Sequence, residues 1–148
     1  DVTIAVAKSF YIKPNFTLSS NKNVDLTVDG FSYGNTDIAY SPDLIIGNIF
    51  VYKPIENLYV SLLQKFIGKQ YMNNIELPEA KLDSYFVNDF NIAYEIFPKT
   101  VFKSIMVNVL VNNIFDTEYV ANGYMWDVYP YYYPQAGINF LAGLTLKF

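Results

Sequence analysis

The sequence predicts an all-β protein: an antiparallel up-and-down β-barrel that crosses a membrane with its strands. Short segments alternate between apolar and polar residues, which is the pattern of a strand with one apolar face. The connections between these segments alternate strictly between short and long, as in barrels whose turns are short at one rim and long at the other. The last segment, Phe140 to Phe148, has about nine residues, the length of a tilted strand across a bilayer.

The composition agrees with a membrane setting. Of the 148 residues, 52% are hydrophobic and only 16% are charged, whereas about 25% of residues are charged in average soluble domains. No run approaches the ~18 consecutive apolar residues of a membrane helix. The apolar residues are therefore spread over short alternating segments.

The composition also argues against several functions. The net charge of −4 and the absence of arginine leave no basic patch to neutralise phosphates, so no nucleic-acid partner is expected. Cysteine and histidine are absent too, which removes disulfides, thiolate chemistry, the usual general base and the usual zinc ligand. The sequence therefore predicts neither an enzyme nor a metal or cofactor site.

The first half of the chain contains three predicted strands and one long loop. Val2 to Lys8 alternates, a tight reversal follows at Ser9-Phe10, and Tyr11 to Asn21 resumes the alternation. Asn21 to Pro42 is polar and rich in turn residues, which predicts a loop. Leu44 to Lys53 is the third strand, and its facing stays open because both of its sides carry apolar residues.

Two further strands surround a second loop. Leu58 to Tyr71 places Lys65 and Lys69 on one side, and that side is predicted to face inward because a lysine facing lipid at mid-bilayer costs roughly 2–4 kcal/mol. Met72 to Lys81 is a polar loop. Leu82 to Phe97 then directs Asp83, Asp89, Asn91 and Glu95 inward and its aromatic and branched residues outward.

The last two predicted strands flank a third long loop. Ser104 to Phe115 places Ile105, Val107, Val109 and Val111 outward and Asn108 and Asn112 inward. Asp116 to Asn139 is the loop, and Phe140 to Phe148 is the closing strand. The total is about seven strands, and all three long loops are expected outside the cell.

The closing strand resembles the last strand of outer-membrane barrels. One face is apolar to the end, formed by Phe140, Ala142, Leu144, Leu146 and Phe148. The resemblance implies that the barrel-assembly machinery reads this strand, with Gly143, Leu146 and Phe148 as the signal. Leu141 departs from the pattern, because a polar residue is more usual there.

A longer motif is similar to the penultimate strand and final loop of TonB-dependent outer-membrane receptors. It is the block Val111-Asn-Asn-Ile-Phe-Asp116, which contains Asn112, Asn113, Phe115 and Asp116. Asn122-Gly123, Tyr131-Tyr-Tyr-Pro134 and the closing strand follow in the family's order. Three earlier stretches look like Bacteroidetes-type members, namely Tyr33 to Asp37, Ser41-Pro42 and Leu63 to Tyr71.

The resemblance implies a part of a larger protein. The family closes a 22-stranded barrel around an N-terminal plug that follows a TonB box, so residues 1–148 are expected to be the C-terminal part of the barrel, with the plug and the box elsewhere. The implied function is import of a scarce nutrient, a ferric chelate (siderophore) or cobalamin, in the bacterial outer membrane of a Gram-negative cell. The implied partners are outer-membrane lipid, the rest of the receptor, TonB, the assembly machinery and the small nutrient.

Within the final loop, Tyr124 and Trp126 are the predicted ligand contacts, while Tyr131 to Tyr133 are assigned to loop packing or to a membrane-surface girdle. Asn112 and Asn113 are assigned a structural role. Asp25, Asp29 and Asp37 suggest a Ca²⁺ site, although solvated loop carboxylates are the favoured interpretation. The rival to the receptor hypothesis is a soluble all-β module that binds carbohydrate through its tyrosines, and an outer-membrane enzyme ranks third.

Overall fold

The computed structural model describes residues 2–98 and 101–148. Its strands are β1 (Ile4–Ala7), β2 (Phe10–Leu18), β3 (Lys22–Val28), β4 (Phe31–Asp37), β5 (Leu44–Tyr52), β6 (Leu58–Ile67), β7 (Gln70–Tyr71), β8 (Lys81–Leu82), β9 (Tyr85–Ile96), β10 (Ser104–Asn112), β11 (Val120–Trp126), β12 (Tyr129–Pro134) and β13 (Asn139–Lys147). A 3-10 turn spans Pro78–Ala80. No helix of the described residues is long and apolar enough to cross a membrane.

Seven strands form one sheet in the order β1-β2-β5-β6-β9-β10-β13, and every neighbouring pair is antiparallel. The predicted fold class and its seven strands are confirmed. Four predicted strand ends are wrong: the strands predicted to end at Asn21, Tyr71 and Phe115 end at Leu18, Ile67 and Asn112, and the strand predicted to begin at Leu82 begins at Tyr85. After β6 the Gly68 amide makes a last bond to the Leu44 carbonyl at 2.8 Å, and the chain then leaves the sheet. Lys69 and Asp83, predicted to face inward on strands, therefore lie in a connection.

The register of the sheet separates an apolar face from a polar face, because residues opposite each other on paired strands share a face. On β10, Val107 and Val109 lie opposite Tyr94 and Ile92 of β9 and opposite Leu144 and Ala142 of β13. The polar face carries the alternate residues, among them Lys13, Lys65, Asp89, Glu95, Asn108 and Lys147.

The same register assigns the facing of β5, which the sequence left open. Ile46 lies opposite Phe66 and Phe50 lies opposite Leu62, so both belong to the apolar face. Gly47 lies opposite Lys65, on the polar face. The pairing partners decide the facing, because the side chains of β5 are apolar in both directions.

The three long connections, 19–43, 68–84 and 113–138, contain regular structure that the loop predictions missed. Strands β3 and β4 form a hairpin whose turn residues Asp29 and Gly30 both have positive φ (51° and 81°), the geometry of a two-residue type I′ turn. Strands β11 and β12 form another hairpin, and β7 pairs with β8. The position of each connection was predicted correctly, and only its internal structure was not.

A row of amides interrupts the apolar face. Asn48, Gln64 and Asn88 lie opposite one another on β5, β6 and β9. The Gln64 Nε2 donates to Asn88 Oδ1 at 2.8 Å, and Asn88 is only 1% exposed. A hydrogen bond in such a dry setting is stronger than one in water, so this bond ties β6 to β9 within the apolar face. Asn48 Oδ1 is buried and has no hydrogen-bond partner among the described residues.

Candidate functional site: an aromatic hairpin on a packed loop cap

The three long connections meet at one end of the sheet and form what we call the loop cap. Its core consists of Met72, Ala80 and Leu82, which are buried, with Leu77, Val120 and Met125 packed against them. These residues come from connection 68–84 and from the β11–β12 hairpin. Because fully burying a large apolar side chain stabilises a fold by roughly 1.5–3 kcal/mol, this core fixes the hairpin to its neighbour.

Gly123 allows the hairpin to lie directly on this core. A Cβ atom at Gly123 would lie 2.5 Å from the Tyr131 carbonyl oxygen and 2.6 Å from Met72 Sδ, so no side chain fits there. The Gly123 carbonyl accepts a hydrogen bond from the Tyr40 hydroxyl at 2.9 Å. Tyr40 belongs to the first long connection, so the contact joins that connection to the hairpin.

Asp37 ties the first connection to the second. Its carboxylate is paired with Lys22 and lies 3.7 Å from the Lys69 ammonium, and its amide donates to the Glu76 carboxylate. The hydrogen bond from Lys22 to Asp37 holds the pKa of this lysine above its usual value. Ala39 N also donates to Asn74 Oδ1 at 2.7 Å. The loop cap is therefore one connected unit.

One side of the β11–β12 hairpin carries exposed aromatic rings, which we call the aromatic face. The register places Tyr124 opposite Tyr131 and Trp126 opposite Tyr129. Tyr124 stacks on Tyr131 with ring centroids 5.0 Å apart and planes 10° from parallel, and its ring lies 5.9 Å from that of Tyr133. The five rings, with exposed fractions from 40% to 72%, belong to Tyr124, Trp126, Tyr129, Tyr131 and Tyr133.

The other side of the hairpin faces the core. Tyr132 donates from its hydroxyl to the Glu79 carbonyl at 3.0 Å, and Met125 contacts the buried cluster. The expectation of loop packing therefore fits Tyr132, whereas Tyr131 and Tyr133 share the aromatic face with the two predicted ligand contacts. The sequence signal that groups Tyr131 and Tyr133 with Tyr124 and Trp126 is the period of two on both sides of the turn at Asp127.

The chemistry of the aromatic face is that of a contact surface for planar or ring-shaped ligands. Tyrosine and tryptophan present large, rigid apolar surfaces, and their hydroxyl and indole groups can hydrogen-bond to a ligand's polar edge. Large exposed apolar patches with polar groups at their rims mark sites of interaction with other proteins, membranes or ligands.

Asn113 sits at the base of this loop and holds its two ends together. It is 4% exposed, and its amide NH₂ donates to the carbonyls of Thr117 (2.9 Å) and Ala136 (3.2 Å). Its Oδ1 accepts from Thr117 N at 2.9 Å, and its own backbone N–H donates to Asp89 Oδ1 at 2.8 Å. The backbone is left-handed here (φ 50°), a conformation that asparagine tolerates better than most residues.

Asp116 completes the base of the loop. Its Oδ1 accepts from Ile138 N at 2.7 Å, and a Cβ atom at Gly137 would lie only 2.4 Å from this same oxygen. Asn112 is different, because its amide donates to Asn139 Oδ1 at 2.8 Å at an exposed position. Phe115, the remaining motif residue, is 68% exposed.

A cavity of about 320 Å³ lies beneath the hairpin, between Lys81–Ser84 and Glu118–Val120. Asp83 lies 2.6 Å from the Lys81 ammonium and raises the pKa of that lysine through a hydrogen bond. Burial raises the pKa of the neighbouring Tyr119. In residues 2–98 and 101–148, no group of three or more carboxylates gathers to hold a metal ion, so Asp25, Asp29 and Asp37 do not converge with other carboxylates on a common centre.

The predicted assembly residues all lie on or next to β13. Gly143 is opposite Asn108 and Leu146 is opposite Ile105 on β10. The Phe148 ring packs on Phe102 with centroids 5.0 Å apart. These residues are at the opposite end of the sheet from the aromatic face or midway along it, so they form no common site with Tyr124 and Trp126.

Solved structures similar to this chain include one siderophore receptor and two receptors for the import or uptake of ferric compounds. The siderophore receptor PiuA from Acinetobacter baumannii superposes with a TM-score of 0.70 at 16% identity, over 96% of this chain and 20% of its own. The ferric yersiniabactin uptake receptor FyuA from Yersinia pestis superposes with a TM-score of 0.66 at 19% identity, over 96% of this chain and 21% of its own. The ferric-catecholate import receptor Fiu from E. coli K12, in its open form, superposes with a TM-score of 0.62 at 18% identity, over 93% of this chain and 18% of its own.

This chain thus spans about a fifth of the length of these structures and has the fold of the barrel portion of TonB-dependent receptors. No protein-family model matches the chain, and no curated protein matches it.

Proposed function

We propose that this chain is part of a TonB-dependent outer-membrane receptor that imports a scarce nutrient. The observation that carries the proposal is the seven-stranded antiparallel sheet, which superposes on barrel segments of siderophore receptors over 93–96% of the chain. The order of the sequence motif, with Asn113 to Asp116 followed by the aromatic hairpin and the closing strand, also supports the proposal.

In this proposal the apolar face contacts lipid and the polar face lines the lumen. Supporting this orientation, Lys13, Lys65, Asp89 and Glu95 share the polar face, and a lysine facing lipid at mid-bilayer costs roughly 2–4 kcal/mol. The long connections then lie outside the cell and the short turns in the periplasm, as is usual for such barrels.

The rest of the receptor supplies what this chain does not contain. We propose that residues 1–148 form the C-terminal part of a 22-stranded barrel, with the plug and TonB box in the remainder of the protein. The Bacteroidetes-type assignment rests on the stretches Tyr33 to Asp37, Ser41-Pro42 and Leu63 to Tyr71. The barrel-assembly machinery is the proposed reader of Gly143, Leu146 and Phe148.

The proposed ligand is a ferric chelate, with cobalamin as the second candidate, and the proposed contact is the aromatic face. The central residues are Trp126, at 72% the most exposed of the five rings, and Tyr124, whose ring stacks on that of Tyr131 and lies tilted against that of Tyr133. A chelate with flat donor groups can stack on these rings while the tyrosine hydroxyls bond to its oxygens.

The test is uptake of iron supplied as a panel of ferric chelates by cells that carry the whole receptor with Trp126→Ala. Losing one ring contact of about 1–2 kcal/mol should weaken the apparent affinity for the cognate chelate by roughly 5–30-fold. Receptor abundance in the outer membrane should be unchanged, because Trp126 is not part of the loop core. Phe97→Ala is the matched control, since Phe97 is also an exposed aromatic residue (56%) but lies at the other end of the sheet.

Three outcomes would count against the proposal. A joint fall of abundance and uptake would make Trp126 a structural residue. Unchanged uptake of every chelate would remove the aromatic face from the binding site. Recovery of the protein in the aqueous fraction without detergent would favour the soluble carbohydrate-binding alternative.

A further inference from the structure

The last long connection, 113–138, bends over the polar face of the sheet at its start. Side chains of a strand alternate between its two faces, so Tyr85 and Asp89 of β9 both lie on the polar face. The Tyr119 ring lies against the Tyr85 ring, with centroids 4.5 Å apart. Asp89 Oδ1 accepts a hydrogen bond from Asn113 N at 2.8 Å. The beginning of the connection therefore contacts the polar face at two points.

The burial of the side chains between these two points agrees with such a cover. Val87 lies between Tyr85 and Asp89 on the same face, and it is only 7% exposed. Ile67, which lies opposite Tyr85 on β6, is also 7% exposed. Apolar side chains on a bare sheet face stay accessible, so loop residues lie over this end of the polar face.

Asp89 accepts from a backbone N–H that the sheet itself does not pair. In the register of β9 with β10, Asn113 would lie opposite Asn88, but the Ile114 amide donates to the Asn88 carbonyl instead, at 2.9 Å. Asn113 is therefore an extra residue in the ladder, with a left-handed backbone (φ 50°), as in a β-bulge. A buried N–H without an acceptor is costly, and a carboxylate is a strong acceptor for it.

From Asn113 onward, further hydrogen bonds hold both ends of the connection. The Asn113 amide donates to the Thr117 and Ala136 carbonyls, which belong to opposite ends. The next bond joins Gln135 N to the Tyr119 carbonyl at 3.0 Å, directly before the pairing of β11 with β12 begins. A series of hydrogen bonds therefore runs from the wall of the sheet to the base of the aromatic hairpin.

We propose that Asp89 is a positioning residue, which holds the base of the aromatic hairpin over the outer end of the polar face. The inference rests on the proposed function, in which this face lines the lumen and the aromatic face contacts the ligand. Asp89 acts through Asn113 and touches no ligand. Its acceptor oxygen fixes where the connection leaves the wall, and so directs the rings toward the mouth of the barrel. This role needs a hydrogen-bond acceptor at that place, and not a charge.

The first measurement is hydrogen exchange of the Thr117 amide in the whole receptor in detergent, without ligand. The acceptor of this amide is Asn113 Oδ1, which a substitution at Asp89 leaves in place. Asp89→Ala should lower the protection of the amide at least about tenfold, because it removes a hydrogen bond to a charged group. Asp89→Asn keeps an acceptor oxygen, so protection should stay within about threefold of the native value.

Two further variants make the exchange experiment specific. Asp89→Glu keeps the charge but moves the carboxylate by one methylene group, so its effect should lie between those of asparagine and alanine. If the alanine variant does not reach the outer membrane, the order of the asparagine and glutamate variants decides. Glu95→Ala is the matched control, since it removes another polar-face carboxylate of β9, whose bond is to Lys147 at 3.2 Å. It should leave the protection within about twofold.

The second measurement separates the apparent affinity from the maximal rate of uptake, with iron supplied as the same panel of ferric chelates. Asp89→Ala should weaken the apparent affinity for the cognate chelate by about fivefold, because the rings are no longer held in place. The maximal rate and the receptor abundance should stay within about twofold of the native values. A merely structural defect would lower abundance and maximal rate instead.

Equal harm from Asp89→Asn and Asp89→Ala would overturn the proposal, because the charge, and a contact with the rest of the receptor, would then be what matters. Unchanged Thr117 protection in Asp89→Ala would overturn it as well. Exchange is measured without ligand, so it decides the role of Asp89 even if Trp126→Ala leaves uptake unchanged and the proposed function fails. If Trp126→Ala weakens uptake and Asp89→Ala does not, the proposed function stands and the positioning role is refuted.

Discussion

Replacing Asn113 with alanine should release the base of the last long connection. The wild-type side chain makes three hydrogen bonds, two donated to the Thr117 and Ala136 carbonyls and one accepted from Thr117 N. Alanine removes all three and leaves these backbone groups without partners in a region where Asn113 itself is only 4% exposed. It also places an alanine in the left-handed backbone conformation (φ 50°) that asparagine tolerates.

The expected loss of stability is about 3 kcal/mol, and it has two parts. Three hydrogen bonds contribute roughly 0.5–1.5 kcal/mol each, and water that enters the gap recovers some of this. The left-handed conformation adds roughly 1 kcal/mol for a residue with a Cβ atom and no local hydrogen bond. Asn113→Gly removes the same bonds without that strain, so it should be about 1 kcal/mol less harmful than alanine.

Hydrogen exchange of the Ile138 amide, measured on the whole receptor in detergent, reports this change, because its own bond to Asp116 Oδ1 is left in place by the substitution. Because 1.4 kcal/mol corresponds to a factor of ten, Asn113→Ala should lower the protection of this amide by roughly a hundredfold. Asn112→Ala is the control, since Asn112 makes one exposed side-chain bond and should cost less than about 1 kcal/mol. Protection that changes by less than threefold in Asn113→Ala would refute the reasoning, because it would mean that the three bonds do not hold the connection.

Three further variants test other parts of the structure. Val109→Lys on the apolar face should destabilise the barrel in a lipid bilayer by roughly 2–4 kcal/mol and Asn108→Lys on the polar face by much less. A larger loss for Asn108→Lys in a denaturant titration would place the faces the other way round, and equal losses would contradict the assignment. Gly123→Ala should cost roughly 1–3 kcal/mol, because its Cβ atom would clash with Met72 Sδ at 2.6 Å. It should also speed protease cleavage of the hairpin, while Gly143→Ala, with nothing within 4 Å, should not. Deleting Phe148 should lower the amount of receptor inserted into the outer membrane, and normal surface levels of the deletion variant would argue against its role in assembly.

The seven strands of the main sheet were predictable because their two faces differ in chemistry. Along β10, valines alternate with asparagine, and that contrast alone assigns both the strand and its facing. In β5, by contrast, Ile45 and Ile49 point one way and Ile46 and Phe50 the other, so only the register with β2 and β6 could assign the faces. Where both sides of a strand are apolar, the pairing with neighbouring strands, and not the strand's own sequence, determines which residues lie on the apolar face of the sheet.

The hairpins of the loop cap were missed for two different reasons. In β3–β4, Asp29-Gly30 is a strong type I′ turn signal, but the flanking strands are mostly polar, so the stretch resembled an unstructured loop. In β11–β12 neither side of the hairpin is clearly polar, so no contrast between two faces marks the strands. The side that packs is selected by Gly123 and Met125, whose partner Met72 is about fifty residues earlier in the sequence. Contacts of that kind are tertiary, and no local pattern encodes them.

The last long connection is held at two levels, and this separates binding from assembly. At its base, Asn113 and Asp116 fix both ends of the connection to each other and to the start of β13. At its far end, the loop core around Met72 holds the hairpin and leaves the aromatic face open. Under the proposed function, the rings of the aromatic face could therefore change to suit a different ligand without disturbing the closing strand, whereas a change at Asn113 would affect the hairpin and the strand together. A binding surface carried on a separately fixed base is one way in which a single fold can serve many ligands.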